Sequence, residues 1–400
     1  MILPDAPWRH KPGLDRLLAA LGPDAARFVG GAVRDGLLGE PVKDVDIATV
    51  HAPDAVMARL RDVPGIKLVP TGIDHGTITA VIEGWPVEIT TLRRDVSTDG
   101  RRATVAFSAD WREDAARRDF TFNALYADPA DGTITDYFGG VADLAARRVR
   151  FIGAAADRIA EDHLRILRFF RFHARFGRGE PDAEGYAACV AAANSLMALS
   201  RERVADELLK LLAVADPTPT MRLMVADGIL APVLPEIEAD GVERLGALVA
   251  REREAGVPAS ALRRLCALLP QEAATGEAVA ARLKLSNKAR RRMAVALTPS
   301  PTHRDAGELA YRLGAEGAID RLLLGEDGSP ADAAALAGWE KPSLPIGGGT
   351  LVARGLPAGP DVAHVLRMIE EEWIAERFPD AARVDAIADQ IVSKFQRARQ

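Results

Sequence analysis

The sequence predicts an α+β protein, with a small head of mixed strands and helices followed by a long remainder that is all-α. In the first 150 residues, short β-branched or alternating stretches are separated by glycine and proline turns, a pattern typical of strands. From about Asp157 onward, Ala- and Leu-rich stretches repeat their apolar residues with a period near 3.6, which predicts amphipathic helices.

The predicted elements follow one another in a simple order. "RFVGG" predicts a buried strand, "AVRDGLLG" a short helix that ends before Gly39, and "KDVDIAT" a second strand. "GTITAVIEG" and "WPVEITTLR" predict a hairpin, and "STDGRR" (97–102) predicts a turn. "EDHLRILRFFRFHARF" and "RERVADELLKLLAV" predict helices, and turn clusters divide this helical part near residues 177–185, 215–220, 255–260 and 342–360.

The composition is that of a soluble globular protein, with 48% apolar and 27% charged residues. No apolar run is long enough to predict a transmembrane helix, and the first residues predict no signal peptide. Cys189 and Cys266 lie far apart in the sequence, which favours a reducing, cytoplasmic location over a disulfide framework. We therefore expect a cytoplasmic protein with no membrane contact and no evident protein partner.

The net charge of −6 hides local basic segments. Residues 147–178 contain nine arginines against three acidic residues, and residues 281–295 contain six basic residues and no acidic one. Such faces can follow a phosphate backbone even on an acidic protein. For residues 281–295 a solvated helix face is an equally good interpretation.

Asp44 and Asp46 are separated by one residue on a predicted strand, so their side chains lie on the same face. Two neighbouring carboxylates repel each other unless a cation lies between them. Oxygen ligands of this kind suit Mg²⁺. Glu88, on another predicted strand, is a third carboxylate that a sheet can bring alongside, and three carboxylates can hold two metal ions that act on a nucleotide. The sequence therefore predicts a magnesium site at Asp44 and Asp46.

Gly30 and Gly31 precede the predicted first helix of this region. Glycine lets a ligand approach the backbone closely, and amides at a helix start favour phosphate. Arg34, one turn later, can add a charged contact. The alternative is a tight turn with a surface Arg34–Asp35 pair.

Two further stretches carry candidate substrate-binding residues. In "ARRDFTFNALYAD" (116–128), we expect a helix on which Asp119 and Asn123 share a face, preceded by Arg118. In "EDHLRILRFFRFHARFG" (161–177), a drifting stripe on one predicted helix has a member every third residue: Asp162, Arg165, Arg168 and Arg171. An anionic ligand or acidic neighbours must balance these arginines.

These stretches, together with "GGAVRDGLLGEPVKDVDIAT" and "RERVADELLKLL", resemble the bacterial and eukaryotic class of CCA-adding tRNA nucleotidyltransferases and the related bacterial poly(A) polymerases. The four motifs occur in the order of that family over about residues 28–212. The segment 355–374 also resembles part of these enzymes. The resemblance implies a polymerase-β-type nucleotidyltransferase head (1–148), followed by an all-α neck (149–214), body (215–300) and tail (301–400).

The resemblance also implies roles for single residues and names the substrates. Asp44 and Asp46 would hold Mg²⁺, with Glu88 as a weaker third catalytic carboxylate. Contacts to the triphosphate and sugar would come from the glycine turn and the residues near it, and base contacts from the later helix: Gly30, Gly31, Arg34, Arg118, Asp119 and Asn123, then Asp162 and Arg165, with Arg168 and Arg171 on phosphates. The partners would be CTP, ATP and the tRNA 3′ end.

Several alternatives remain open at this point. A poly(A) polymerase shares every motif, although such enzymes often carry long basic C-terminal extensions, and "DVDIAT" resembles the CCA-adding members more closely. An enzyme that adds only CC or only A is also possible. A non-catalytic RNA-binding protein is disfavoured by the intact Asp44 and Asp46. None of the seven histidines is followed by Asp, so an added phosphohydrolase domain is not expected.

Overall fold

A computed structural model describes residues 1–99, 102–298, 305–325 and 329–398 of the chain. Contacts divide the chain into two compact units, Met1–Pro235 and Glu236–Gln400. The predicted α+β class is confirmed, because the described strands all lie in the first unit and only helices follow them. The finer division into head, neck, body and tail stays a prediction. Within the described residues, every helix is too short or too polar to cross a membrane.

The strands of the first unit form a seven-stranded sheet and a separate two-stranded hairpin. In the larger sheet the order is β3-β4-β5-β2-β1-β8-β9, and the hairpin is β6-β7. Their bounds are β1 (Ala26–Val29), β2 (Val45–Thr49), β3 (Ile66–Gly72), β4 (Thr77–Ile82), β5 (Trp85–Thr91), β6 (Arg93–Asp99), β7 (Arg102–Phe107), β8 (Leu125–Ala127) and β9 (Ile134–Asp136).

The pairing of these strands brings the predicted site elements together. Strand β1 lies between β2 and β8, antiparallel to both, while β2 and β5 run parallel with Asp46 opposite Glu88. The predicted hairpin is confirmed as β4 and β5, which pair from Thr77 with Thr90 to Ile82 with Trp85. Of the predicted turn at 97–102, residues 100 and 101 lie outside the described residues.

The helices of the first unit follow and flank the sheet. Their bounds are α1 (Leu14–Leu21), α2 (Gly31–Leu38), α3 (Pro53–Leu60), α4 (Trp111–Ala116), α5 (Gly140–Ala145), α6 (Ala155–Glu161), α7 (Leu164–Phe176), α8 (Ala183–Ala191), α9 (Arg201–Leu212) and α10 (Thr218–Ala226). Short 3₁₀ turns occupy Pro7–His10, Ile73–His75, Thr121–Asn123 and Ala193–Ala198.

Alternating burial explains why the sheet forms where it does. On β2, Val45 and Ile47 are buried in the main core of the first unit, which leaves Asp46 between them on the opposite face. The same alternation on β5 buries Val87 and Ile89 and leaves Glu88 exposed. Both carboxylates therefore share the face of the sheet that is turned away from this core.

An aromatic cluster joins the end of the sheet region to α7. Phe120, Phe122, Phe169 and Phe172 are each 2% exposed or less and meet one another at ring centroid distances of 5.3–6.4 Å. Such aromatic pairs contribute about 0.5–1.5 kcal/mol beyond the burial of their surface. The cluster fixes α7 against the residues that precede β8.

The expected helix over residues 116–128 is wrong. Helix α4 ends at Ala116, Phe120 forms an antiparallel bridge with Phe151, and a 3₁₀ turn leads into β8. Phe120 and Phe122 both pack in the aromatic cluster. The bridge at Phe120 supplies the backbone hydrogen bonds of an extended chain at this point. Tertiary packing therefore overrides a helical spacing of polar residues.

The second unit contains helices throughout its described residues. Their bounds are α11 (Ala239–Glu254), α12 (Ala261–Leu268), α13 (Ala273–Arg282), α14 (Asn287–Leu297), α15 (Ala306–Leu313), α16 (Ala315–Leu324), α17 (Pro330–Ala335), α18 (Gly348–Ala353), α19 (Pro360–Ala375) and α20 (Ala381–Arg397).

The basic segment 281–295 is only partly a solvated face. Arg292 donates to the fully buried Asp320 through Nε (2.6 Å) and Nη2 (2.9 Å), and also to Ser260 Oγ (2.8 Å). Arg290 pairs with Glu277 at 3.3 Å, while Arg291 is exposed. Arg292 therefore stabilises the interior of this unit, and Arg291 is better placed to meet a ligand.

Candidate active site

The glycine turn between β1 and α2 has a backbone that only glycine adopts easily. Gly30 precedes the first residue of α2 with φ 64° and ψ −120°. A Cβ on Gly30 would also lie 3.5 Å from Nη1 of Arg118. Gly31 begins α2, and a Cβ there would lie 3.7 Å from Nη2 of Arg34. The first amides of α2 are therefore bordered by two guanidinium groups, an arrangement that suits phosphate.

The paired aspartates lie beside this turn, because β2 and β1 are neighbours in the sheet. Asp44 is exposed in the bend just before β2, and Asp46 is half-buried on the strand. Glu88 is adjacent to Asp46 on the parallel strand β5. The register of the sheet thus places Asp46 and Glu88 on one face, whereas Asp44 lies just before the strand, so its predicted place on the same face stays a prediction.

The electrostatics of Asp46 fit a cation ligand. Burial, together with the nearby carboxylates of Glu88 and Asp44, raises the pKa of Asp46 to about 6, against an opposing effect of Arg118. A hard cation would stabilise the ionised form of Asp46, because it offsets the repulsion between the carboxylates and binds their oxygens. The donor set of Asp44 and Asp46 therefore fits a hard divalent cation.

The third carboxylate is less well supported. In the described parts of the chain, no three His, Cys, Asp or Glu side chains form an arrangement that could hold a metal ion. Glu88 therefore adds negative charge beside Asp46 without completing a cluster with it and Asp44. Its catalytic role stays a prediction.

Arg34 is a buried residue and not a surface cation. Its Nε donates to Asp35 Oδ1 at 2.8 Å, and its Nη1 donates to Asn123 Oδ1 at 2.7 Å. The guanidinium also lies 5.0 Å from the ring centroid of Phe172. The Arg34–Asp35 pair of the alternative interpretation forms, but it is buried on α2 and is not a surface pair.

Asp119 and Asn123 meet even though no helix joins them. Asn123 Nδ2 donates to Asp119 Oδ1 at 2.9 Å, and Arg168 Nε donates to Asp119 Oδ2 at 2.7 Å. Asp119 is 7% exposed, and its cationic and amide partners hold its pKa below the ordinary value against the effect of burial. These bonds connect Arg34 through Asn123 and Asp119 to α7.

Asp162 and Arg165 do not share a helix as expected. Asp162 lies between α6 and α7 with extended backbone (φ −152°), and its Oδ1 accepts from the backbone amide of Leu164 at 3.1 Å. Its Oδ2 accepts from Arg203 Nη2 at 2.7 Å. A hydrogen bond from the amide two residues later to a short carboxylate side chain favours a turn at Asp162 over a continuous helix.

Arg165 is held from behind by three acceptors. Its Nη1 donates to Glu161 Oε2 at 2.6 Å and to the carbonyl of Arg158 at 3.0 Å, and its Nη2 donates to the carbonyl of Arg117 at 3.2 Å. Within the part of the chain that the structure describes, its Nε makes no hydrogen bond. The guanidinium is thus fixed in position before any ligand binds.

The arginine stripe on α7 is balanced by acidic neighbours on other elements. Arg168 pairs with Asp119 at 2.5 Å, and Arg171 pairs with Glu207 of α9 at 2.5 Å. Glu207 is 3% exposed and also lies 3.7 Å from Arg168. The acidic partners come from distant parts of the sequence.

A cleft of about 300 Å³ collects many of the predicted substrate-binding residues. Its lining includes Arg118, Asp119, Asp162, Arg165 and Arg168 from the predicted set. The other predicted substrate-binding residues are not among the lining residues: Gly30, Gly31, Arg34, Asn123 and Arg171. Sequence reasoning missed other members, which are the cationic Arg93, Arg117 and Arg203. The "RR" of 117–118 is the sequence signal that could have indicated Arg117. Six arginines against two aspartates make a lining that suits a polyanion.

Arg118 connects this cleft to the paired aspartates. It lies near the glycine turn through Nη1 and acts electrostatically on Asp46. Its Nε and Nη2 donate to Asp114 Oδ2 at 3.1 and 3.0 Å. Asp114, 1% exposed, was not singled out from the sequence, in which "WREDAARRD" has the pattern of a solvated helix. The site therefore combines a carboxylate pair, a phosphate-compatible turn and a cationic cleft.

Comparison with known proteins finds two family models that match parts of the chain. Residues 26–150 match the poly A polymerase head domain, and residues 180–240 match the probable RNA and SrmB-binding site of polymerase A. A stretch of 189 residues is 47% identical to mouse CCA tRNA nucleotidyltransferase 1, mitochondrial, and covers 46% of this chain and 43% of that protein. A CCA-adding enzyme of Geobacillus thermodenitrificans is 39% identical over 59% of this chain and 56% of its own length.

Solved structures extend the likeness over nearly the whole chain. The Bacillus stearothermophilus CCA-adding enzyme in complex with CTP superimposes with a TM-score of 0.74 and 28% identity, covering 97% of this chain and 100% of that one. A Thermotoga maritima CCA-adding enzyme complexed with tRNA shares the fold at 22% identity and a TM-score of 0.67. The chain spans about half the length of the curated relatives it matches. The predicted resemblance to this family is confirmed.

Proposed function

We propose, from the similarity of this chain to CCA-adding enzymes and of residues 26–150 to the poly A polymerase head domain, that this chain adds CCA to the 3′ end of tRNA. The reaction would transfer CMP and AMP from CTP and ATP to the RNA without a nucleic-acid template. The RNA 3′-oxygen would form the new bond to the α-phosphorus, and pyrophosphate would leave. The observation that supports the proposal most directly is that Arg118, which lines the cationic cleft, also borders the glycine turn next to the strand of Asp46.

The proposed cofactor is a divalent metal, and more narrowly Mg²⁺, held by Asp44 and Asp46. When bound, it would activate the attacking hydroxyl and neutralise charge on the leaving pyrophosphate. The amides at the start of α2 would bind the triphosphate together with Arg118. Asp119 and Asn123 would contact the ribose, although Asp119 already accepts three hydrogen bonds from the protein.

Asp162 and Arg165 would read the base together, with the carboxylate and the guanidinium side by side along one edge of the base. Cytosine presents an amino donor beside a ring acceptor, and adenine presents the same pair, while uracil and guanine present the reverse. A carboxylate acceptor and a guanidinium donor therefore suit C and A and reject U and G. Both side chains line the cleft and are anchored by other protein groups, which supports such a role. A well-formed pair contributes roughly 1–3 kcal/mol of discrimination.

The proposal extends to location and partners. The substrates would be CTP, ATP and the tRNA 3′ end, in a cytoplasmic setting. Support for the substrates comes from relatives named as CCA-adding enzymes.

The test is incubation of the purified chain with Mg²⁺ and a tRNA that lacks its terminal CCA, with CTP alone, ATP alone or both. We expect two residues from CTP alone, three from both, and no further growth. A long ATP-only product would instead identify a poly(A) polymerase. A product that stops after CC, or that needs a preformed CC end, would identify a partial enzyme. No transfer under any condition would contradict the proposal.

A further inference from the structure

Asp114 carries an unusual set of partners for one buried carboxylate. The side chain is 1% exposed and lies on the short helix α4. Its Oδ1 accepts from Arg117 Nε at 3.1 Å and from the backbone amide of Arg93 at 3.3 Å. Its Oδ2 accepts from Arg118 at 3.0 and 3.1 Å and from the Tyr126 hydroxyl at 2.7 Å. A buried carboxylate is stable only when cations and donors surround it in this way.

Three of the residues that donate to Asp114 also line the cationic cleft: Arg93, Arg117 and Arg118. Asp114 is not itself a lining residue. Two of these arginines are consecutive in the sequence, and their guanidinium groups would repel each other without the shared carboxylate between them. Asp114 therefore keeps two like charges together on one wall of the cleft.

The same contacts fix the direction in which Arg118 points. Asp114 binds the Nε and Nη2 edge of the guanidinium, which leaves Nη1 beside Gly30 and the carbonyl of Asn123 at 3.4 Å. Arg118 also lies over the ring of Tyr126, with 5.5 Å to the centroid. A guanidinium held along one edge presents its other edge in a defined orientation, here toward the glycine turn.

From these contacts we infer that Asp114 is a positioning residue for the triphosphate, acting through Arg117 and Arg118 and not by touching the nucleotide. This inference rests on the proposed function. One carboxylate against two guanidinium groups leaves an excess positive charge on this wall, which the phosphates of a nucleoside triphosphate would meet. Asp114 stays ionised throughout, because its arginine partners and the Tyr126 hydroxyl hold its pKa down at about 2 despite burial.

The charge of Asp114 should matter as much as its shape. In an Asp114→Asn variant, an amide NH₂ group replaces one carboxylate oxygen. This group can only donate, and it would face the donor groups of Arg117, Arg118 or Tyr126. The two arginines would then move apart, so the wall would lose its fixed geometry. Binding of the β- and γ-phosphates should weaken, whereas contacts to the base and ribose should not.

The chain offers a matched control in Asp143. This carboxylate is also fully buried, and it likewise holds two arginines, Arg148 at 2.5 Å and Arg150 at 2.8 Å, and a hydroxyl, that of Thr121 at 2.7 Å. None of these residues lines the cleft. An Asp143→Asn variant therefore reproduces the loss of a buried charge without disturbing the proposed phosphate wall.

The experiment measures equilibrium binding of CTP and of CMP to the full chain with Mg²⁺, and takes the ratio of the two affinities. Wild type should bind CTP more tightly than CMP. In Asp114→Asn the ratio of CTP affinity to CMP affinity should fall tenfold or more, through weaker CTP binding alone. Asp143→Asn should keep the wild-type ratio. If Asp114→Asn does not fold, Asp114→Glu is measured in its place, and the same loss is expected because the longer side chain cannot keep both arginines where they are.

The outcomes separate the two claims. A wild-type protein that binds CTP no better than CMP would contradict the proposed function. A wild-type preference that the folded Asp114 variant retains, or that Asp143→Asn loses equally, would overturn only the role of Asp114.

Discussion

Replacing Asp46 by asparagine should stabilise the metal-free protein above neutral pH while it removes nucleotide transfer. Folding raises the pKa of Asp46 from 3.8 to about 6, mainly through burial and then through Glu88. The folded protein therefore binds a proton there more tightly than the unfolded chain does. Stability is lost as the pH rises from about 4 through 6, because the ionised carboxylate is disfavoured in the fold.

The magnitude follows from the size of this change. One pKa unit corresponds to about 1.36 kcal/mol, so the difference between 3.8 and about 6 sets an upper value of about 3 kcal/mol. Asp46 is only half-buried, which reduces the value, and we expect about 1–3 kcal/mol at pH 8. Asparagine imitates the protonated carboxyl group, so at pH 4 and below the gain should nearly vanish.

The assay is denaturant unfolding of both proteins in EDTA at pH 4, 6 and 8. The quantity compared is the free energy of unfolding for the transition that includes the first unit. Asp44→Asn is the control, since Asp44 is exposed and its removal relieves only part of the repulsion, so a smaller gain is expected. A variant at Asp46 that is no more stable than wild type at pH 8, or equally stabilised at pH 4, would refute the reasoning.

The remaining predictions concern the base, the glycine turn and tRNA. Asp162→Ala and Arg165→Ala should each narrow the preference for CTP and ATP over UTP and GTP in single-turnover transfer, and unchanged preference in both would mean that the base is read elsewhere. Gly30→Ala should lower the free energy of unfolding by about 1–3 kcal/mol and slow nucleotide transfer, because the backbone angles of Gly30 disfavour a side chain. Gly39→Ala, at an ordinary left-handed helix cap, should keep the wild-type rate of transfer. Equal rates of transfer in the two variants would count against the turn as a phosphate site. tRNA affinity should fall steeply with salt, and Arg291→Gln should reduce that slope by about 1 without changing CTP affinity; an unaltered slope would remove this residue from the tRNA face.

The elements around the paired aspartates could be predicted because local chemistry decides them. Gly30 and Gly39 bracket α2, and the alternation of Val45, Asp46 and Ile47 has the period of a half-buried strand. The same local signals predicted the hairpin of β4 and β5.

The remaining features depend on contacts between residues far apart in the sequence. The helix expected at 116–128 fails because Phe120 pairs with Phe151 and packs on α7. Asp114 resembles a solvated residue until Tyr126, on β8, supplies its hydroxyl. Arg292 resembles one too, until Asp320 is placed beneath it. No local pattern indicates such partners.

We propose that Asp44 and Asp46 form the metal-dependent catalytic pair of an enzyme that adds CCA to tRNA. The most direct measurement is Mg²⁺-dependent incorporation of labelled CMP and AMP into tRNA lacking its CCA end, by wild type, Asp44→Asn and Asp46→Asn. We predict a three-nucleotide extension by wild type, abolished by EDTA, and no detectable extension by either variant, although both remain folded. Transfer by either variant at a rate near that of wild type would contradict the account.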